Sequence, residues 1–175
     1  MEKVIDTIVF KGAAFEVIEK PETIYAGKAI YANSLNDTEE DISERLDHKQ
    51  KEDLSQVIDR VMPERDIHIS INYWRIGEAL HGLIFARETT TENQPEGVDV
   101  FKMPASLFIR AYTDNNTVRL MCKETCETWE LFGLIRGVMN KYNFKMATNG
   151  AQEIEIYDSN DHKIGFAYVP VEKII

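Results

Sequence analysis

Apolar and polar residues alternate strictly over Ile67–Trp74: Ile67, Ile69, Ile71 and Tyr73 take one side, His68, Ser70, Asn72 and Trp74 the other. That period predicts a half-buried strand. A turn around Gly77 leads into HGLIFARETT, whose β-rich composition predicts the return strand of an antiparallel hairpin. Upstream, from Ala14 to Ala32, β-branched and aromatic residues dominate; Pro21 interrupts them, and a strand is expected from about Thr23 to Ala32. Between these strands the period changes. Residues 36–62 open with Asn36, Asp37 and Thr38 ahead of acids and place Ile42, Leu46, Leu54, Val57, Ile58 and Val61 near a 3.6 repeat, so a helix is predicted that ends at Pro63. Its middle, Asp47 to Asp53, is wholly polar: either one face is solvated there or the helix breaks in two.

The same order returns after TTTENQPEGVD, whose Thr, Asn, Pro and Gly mark a connection. MPASLFIRAYT reads as a strand, residues 123–144 as a helix, and EIEIYD with GFAYVPV as a hairpin around Asn160 and Asp161. In this helix Cys122, Cys126, Trp129, Phe132 or Gly133, and Arg136 trace one stripe, widened by Leu131, Leu134, Ile135, Val138 and Tyr142; Gly133 and Gly137 either permit close approach to the sheet or are simply tolerated. One helix per run of strands predicts an α+β fold with a mostly antiparallel sheet, and 175 residues suit one domain spanning 1–175.

Charge narrows the partners. Thirty acidic against twenty basic residues give a net charge of -10, which repels nucleic-acid phosphates and anionic membranes and favours a cationic small molecule or a basic protein surface. No run is long and apolar enough to span a membrane, and the N-terminus does not read as a leader; a cytoplasmic, soluble protein is expected. Cys122 and Cys126 read as reduced helical residues, and His48, His68, His81 and His162 lack metal-ligand spacing, so no metal is expected. Phosphate loops and a nucleophile elbow are also missing, which leaves no cofactor to expect. His68 and His81 meeting across the hairpin would make an acid–base pair, but lone strand histidines are ordinarily surface residues.

The candidate chemistry lies in EIEIYD. Alternation sends Glu153, Glu155 and Tyr157 to one face and Ile154 and Ile156 to the other. Either the acids lie on a solvated face, or Glu155 stands in an apolar cleft, where it attracts a cation or, with a raised pKa, acts as a base. If Ile69 and Ile71 face the helices, Trp74 and Asn72 face the cleft; the alternative is a Trp covering the sheet edge. Trp129 reads as core or as ligand wall. Tyr25 and Tyr31 share one strand face and Phe108 and Tyr112 another, with Arg110 between the latter two as a partner for Glu155 should they meet across the sheet.

Four stretches carry a family resemblance: IEKPETIYAGKAIYA, GVDVFKMPASLFIRAY, ETWELFGLIRGVM, and EIEIYD followed by FAYVPV. Together, over residues 15–171, they make the sequence similar to the GyrI-like family, which includes bacterial effector-binding domains and the drug-binding halves of multidrug-responsive transcription regulators. The resemblance implies duplicated βαββ units (repeat one about 15–90, repeat two about 99–173) forming one curved sheet with two main helices and a central cleft. The family's Glu-x-Tyr pattern falls on Glu155 and Tyr157, and the polar middle of the first helix departs from the family pattern. The implied function is that of a stand-alone binder of lipophilic, cationic aromatic compounds, sensing or sequestering them in transcription regulation or drug response. Glu155 is its anchor, and Trp74, Asn72, Trp129, Tyr112, Phe108, Tyr31 and Tyr157 line the ligand. Two alternatives stay open: a small-molecule hydrolase with Glu155 as general base and Tyr157 as donor, and an inhibitor of a basic protein such as a topoisomerase. Direct nucleic-acid binding is not expected.

Overall fold

The structure is a computed structural model that describes residues 2–31, 54–61, 67–74, 81–113, 118, 127–158 and 161–174; for 30–31, 67–74, 81–85, 129, 158 and 161–164 it describes the backbone. Among the described residues ten strands form one sheet. They are β1 (Lys3–Phe10), β2 (Ala13–Lys20), β3 (Thr23–Tyr31), β4 (Ile67–Trp74), β5 (His81–Thr89), β6 (Asp99–Met103), β7 (Ser106–Tyr112), β8 (Phe144–Met146), β9 (Glu153–Asp158) and β10 (Asp161–Lys173). A 3-10 turn, Thr128–Glu130, leads into helix α1, Leu131–Lys141. The fold is therefore α+β, with every strand pairing antiparallel.

The sheet opens with a hairpin absent from the sequence reading. Lys11 and Gly12 both have positive φ (50° and 86°), the requirement of a two-residue turn whose twist suits a hairpin. Ala13, Phe15 and Val17 are buried while Ala14 is exposed and Glu16 half-buried, the period-2 pattern of a half-buried strand; toward the end of β2 the burial changes face, with Ile18 and Lys20 buried and Glu19 exposed. The strand order is β1-β2-β7-β10-β9-β4-β5-β3-β6, with β8 beside β10. From β2 to β6 this order maps onto its own reverse when β2, β3, β4 and β5 exchange with β6, β7, β9 and β10; the centre of that symmetry is the β9–β4 pair.

Both expected hairpins form, β4 with β5 and β9 with β10. The helices differ from expectation. Residues 36–53 lie outside the described residues, and Leu54–Val61 is not helical. There Val61 N donates to Glu88 O at 2.9 Å and Thr90 N to Asp59 O at 3.1 Å, with Asp59 at φ 52°, so the chain pairs with the end of β5 while Leu54 and Val57 pack on Ala26. The second helix is shorter than 123–144: Asn143 at φ 57° stops it, and Phe144 enters β8. Its buried residues are Leu131, Phe132, Ile135, Val138 and Met139, at the i, i+4, i+7 spacing of one face; Gly133 and Arg136, placed on the expected stripe, are exposed. Gly137 does permit close approach, since a Cβ there would stand 3.3 Å from the Phe10 ring, whereas nothing lies within 4 Å of one at Gly133.

Among the described residues two main cores result, one on each face, beside the small cluster of Ala26, Leu54 and Val57. Under α1, Phe15, Val17, Ile109, Ala111, Ala167 and Val169 meet the helix, where full burial of each large side chain stabilises by roughly 1.5–3 kcal/mol. Opposite, Ile18 of β2 and Tyr25 of β3 share one cluster with Phe108, Ile154 and Tyr168. Residues from near the two ends of the strand order touch there only because the sheet bends over this face.

Candidate functional site

Strand β9 puts a row of polar side chains under α1. Glu153 and Tyr157 are buried and Glu155 is half-buried, while Ile154 points into the opposite core. The row sits at the symmetry centre: Glu153 pairs with Asn72, Glu155 with Ser70 and Tyr157 with His68 across β9–β4. Each acid has a donor from the α1 segment. Thr128, fully buried, donates its Oγ1 proton to Glu155 Oε1. One helical turn into α1, Arg136 Nη2 donates to Glu153 Oε1 at 2.6 Å; the arginine side chain is 54% exposed and the glutamate 7%, so a solvated cation caps a buried anion.

Local sequence explains this placement. Glu130 Oε2 accepts from Glu127 N at 3.0 Å, which fixes the turn that carries Thr128. Beneath it lies Gly165, where a Cβ would stand 2.1 Å from Ile156 O and 2.8 Å from Thr128 Cγ2; only glycine lets the turn descend this far. Thr113 closes the same spot, its Oγ1 accepting from Gly165 N at 2.9 Å while its own N–H donates to Gly165 O at 3.0 Å. A neutral hydroxyl bound to Glu155 orients the carboxylate.

The expected site residues divide between locations. Glu155 and Tyr157 share the α1 face, and Trp129 follows Thr128 in the turn above them. Asn72 is opposite Glu153, Trp74 opposite His81 at the end of β4, and Tyr31 opposite Gly82 at the end of β3. Phe108 and Tyr112 are elsewhere: Phe108 is fully buried on the other face, and Tyr112 stacks on Phe166 there at 4.5 Å. Arg110 does not meet Glu155. Across β10 it pairs with Tyr168, whereas Glu155 pairs with Ala167, and that single step places the two residues on opposite faces. Thr128, Arg136, Gly165 and Thr113 were missed by sequence reasoning; for Glu153, alternation with Glu155 was the available signal.

On its own face Arg110 donates from Nε and Nη2 to Glu16 at 2.8 and 2.5 Å, from Nη1 to Glu2, and from Nη1 to Tyr168 Oη at 3.3 Å. Burial opposes its charge, but the bond to Tyr168 and the charges of Glu16 and Glu2 outweigh burial and raise its pKa. Burial likewise pushes the Tyr168 phenol up to about 12, against the lowering effect of Arg110, and drives Tyr25 well above its ordinary value with Glu88 adding to the effect. Among the described residues no group of three His, Cys, Asp or Glu could hold a metal ion, and no helix is long and apolar enough to cross a membrane.

No family model and no curated protein matches the sequence. Solved structures do. SAV2435 bound to tetraphenylphosphonium matches with a TM-score of 0.62 at 10% identity over 90% of this chain and 93% of that one. A putative bacterial transcription regulation protein from Staphylococcus aureus MU50 matches with a TM-score of 0.54 at 10% identity over 90% and 97%. At such identity the likeness is one of fold, and it agrees with the GyrI-like resemblance of the sequence.

Proposed function

We propose that this chain is a small-molecule-binding protein for lipophilic, cationic aromatic compounds, which it senses or sequesters. The observation that carries the reading is Glu155: a half-buried carboxylate at the centre of the sheet, oriented by a proton from the Thr128 hydroxyl. A cation entering a low-dielectric site gains far more from such a carboxylate than it would in water. The fold supports the reading, since a protein of this fold was solved with tetraphenylphosphonium bound. So does the symmetric strand order, which we read as duplicated βαββ units with the ligand cleft at their β9–β4 junction. Tyr157 supplies one aromatic wall, with Trp129 and Trp74 as the others and Asn72 as a polar neighbour; Phe108 and Tyr112, on the far face, are left out of the site. Stacking and apolar burial then set affinity, which predicts tolerance of ligand shape.

The test is calorimetry of the full chain with tetraphenylphosphonium, neutral triphenylphosphine oxide and anionic tetraphenylborate. Preference for the cation, with affinity falling about tenfold in Glu155→Gln, is expected. Equal binding of the anion, or an unchanged affinity in the variant, would overturn the assignment. Mass spectrometry of recovered ligand separates binding from hydrolysis, because a hydrolase returns altered compound.

A further inference from the structure

Strand β1 ends the strand order: among the described residues it has β2 on one side and no strand on the other. The two-residue turn at Lys11 and Gly12 makes Phe10 and Ala13 a hydrogen-bonded pair. By alternation Ile8 and Asp6 also turn their backbone groups toward β2, while Thr7 and Val9 turn theirs outward. Val9 is 59% exposed, and Val4 and Ile5 are exposed as well. An edge of this kind is a template for a further strand.

Here each outward residue has one of its backbone groups taken by a side chain of its own chain. Asp6 Oδ1 accepts from Thr7 N at 2.8 Å, and Tyr142 Oη, just past α1, donates to Val9 O at 2.6 Å. The register shifts between Val4 and Asp6, so a bulge leaves Asp6 to Phe10 as the straight part of the edge. The two occupied groups are partners of each other. When a second copy pairs antiparallel with Ile8 facing Ile8 at the two-fold axis, Thr7 stands opposite Val9 of that copy, and its N–H points at the carbonyl that Tyr142 occupies. Charge fits the same register. Asp6 falls opposite Phe10 of the second copy, and the Lys11 and Lys141 ammoniums lie 5.4 and 5.6 Å from the centroid of that ring.

We propose that β1 is a self-pairing edge held shut by Asp6 and Tyr142, and that the strand it takes when those bonds are released is β1 of a second copy, antiparallel about Ile8. The edge is independent of the cation site, which lies on β9 in the middle of the sheet.

Sedimentation velocity of the full chain tests it. Wild type is expected to stay monomeric up to about 100 μM, and Asp6→Glu/Tyr142→Phe, folded by circular dichroism, to dimerise about tenfold or more tightly than wild type. Tyr142→Phe keeps the ring under Lys141 and removes only the donor; Asp6→Glu keeps the acid while its longer chain gives up the bond to the neighbouring N–H. Adding Val9→Pro deletes an outward N–H that β2 does not use, and is expected to return the opened protein to a monomer. Should that protein not fold, Thr7→Pro makes the same test at the facing residue. A wild-type dimer, a folded Asp6→Glu/Tyr142→Phe protein that stays monomeric, or an assembly that persists with the added proline would overturn the proposal. So would growth beyond a dimer, because two-fold pairing of one edge closes at that point.

Discussion

Gly165 lies directly beneath Thr128, with room for a hydrogen and for nothing larger: a Cβ there would meet Thr128 Cγ2 at 2.8 Å and the Ile156 carbonyl oxygen at 2.1 Å. The second contact is with backbone, which cannot rotate away. Gly165→Ala must therefore part β9 from β10 or lift the turn that holds Glu155. A loss of about 3 kcal/mol is expected, at the upper end of overpacking costs. Urea denaturation reads it directly, and a loss below about 1 kcal/mol would mean that the turn does not sit as close as described.

Gly133 supplies the opposite case. It occupies the first turn of α1, is exposed, and nothing lies within 4 Å of the position its Cβ would take. Gly133→Ala should stabilise by about 0.5–1 kcal/mol through helix propensity alone. The same denaturation experiment checks it, and a destabilisation would show a contact on that face of the helix.

Thr128 tests the anchor itself. Thr128→Val keeps the volume and removes the proton donated to Glu155, so a loss of about 1–2 kcal/mol is expected, with Thr128→Ser losing less. The bond also predicts non-additivity. In a double-mutant cycle, Thr128→Val should cost markedly less in the Glu155→Gln background than in wild type. Additive losses would show that the two side chains contribute separately.

Short-range periodicity carried much of this fold, and the failures have physical causes. Alternation over 67–74 and 153–158 placed both central hairpins, and it correctly grouped Phe108, Arg110 and Tyr112 on one face and Glu153, Glu155 and Tyr157 on another. What it cannot supply is which faces of neighbouring strands coincide. Arg110 and Glu155 are each one strand from β10, and their separation depends on whether Ala167 or Tyr168 stands between them, a matter of register. The β1–β2 hairpin was legible in the alternation of Ala13, Phe15 and Val17 but lacked the Asn-Gly or Asp-Gly signal, since Lys11 takes the left-handed conformation instead. Apolar spacing extended the helices too far. Near Leu54 it reflected burial of Leu54 and Val57 against Ala26 rather than a helical face. Thr128 and Gly165 act through a contact between segments far apart in the chain, and no local pattern marks them.

Alkaline titration gives the last prediction, because the face opposite α1 holds the phenols of Tyr25 and Tyr168 neutral. Tyr168 is 4% exposed and its pKa is raised to about 12, chiefly by burial; Tyr25, fully buried and facing Glu88, is raised as well. In the unfolded chain both ionise near the ordinary value of about 10. Between about 10 and 12 the folded protein therefore binds more protons than the unfolded chain, and stability falls as pH rises through that window. Below it the contribution is fully present. For Tyr168 alone the two-unit gap corresponds to about 2–3 kcal/mol, lost progressively on passing from pH 10 to pH 12. Ultraviolet difference absorbance of tyrosinate should show Tyr25 and Tyr168 staying neutral above the ordinary range until the protein unfolds. Tyr168→Phe should lose part of that pH dependence while keeping its contact with Phe108, whose ring lies edge-on at 6.3 Å. A Tyr168→Phe protein with an unaltered alkaline transition would mean that another group governs it.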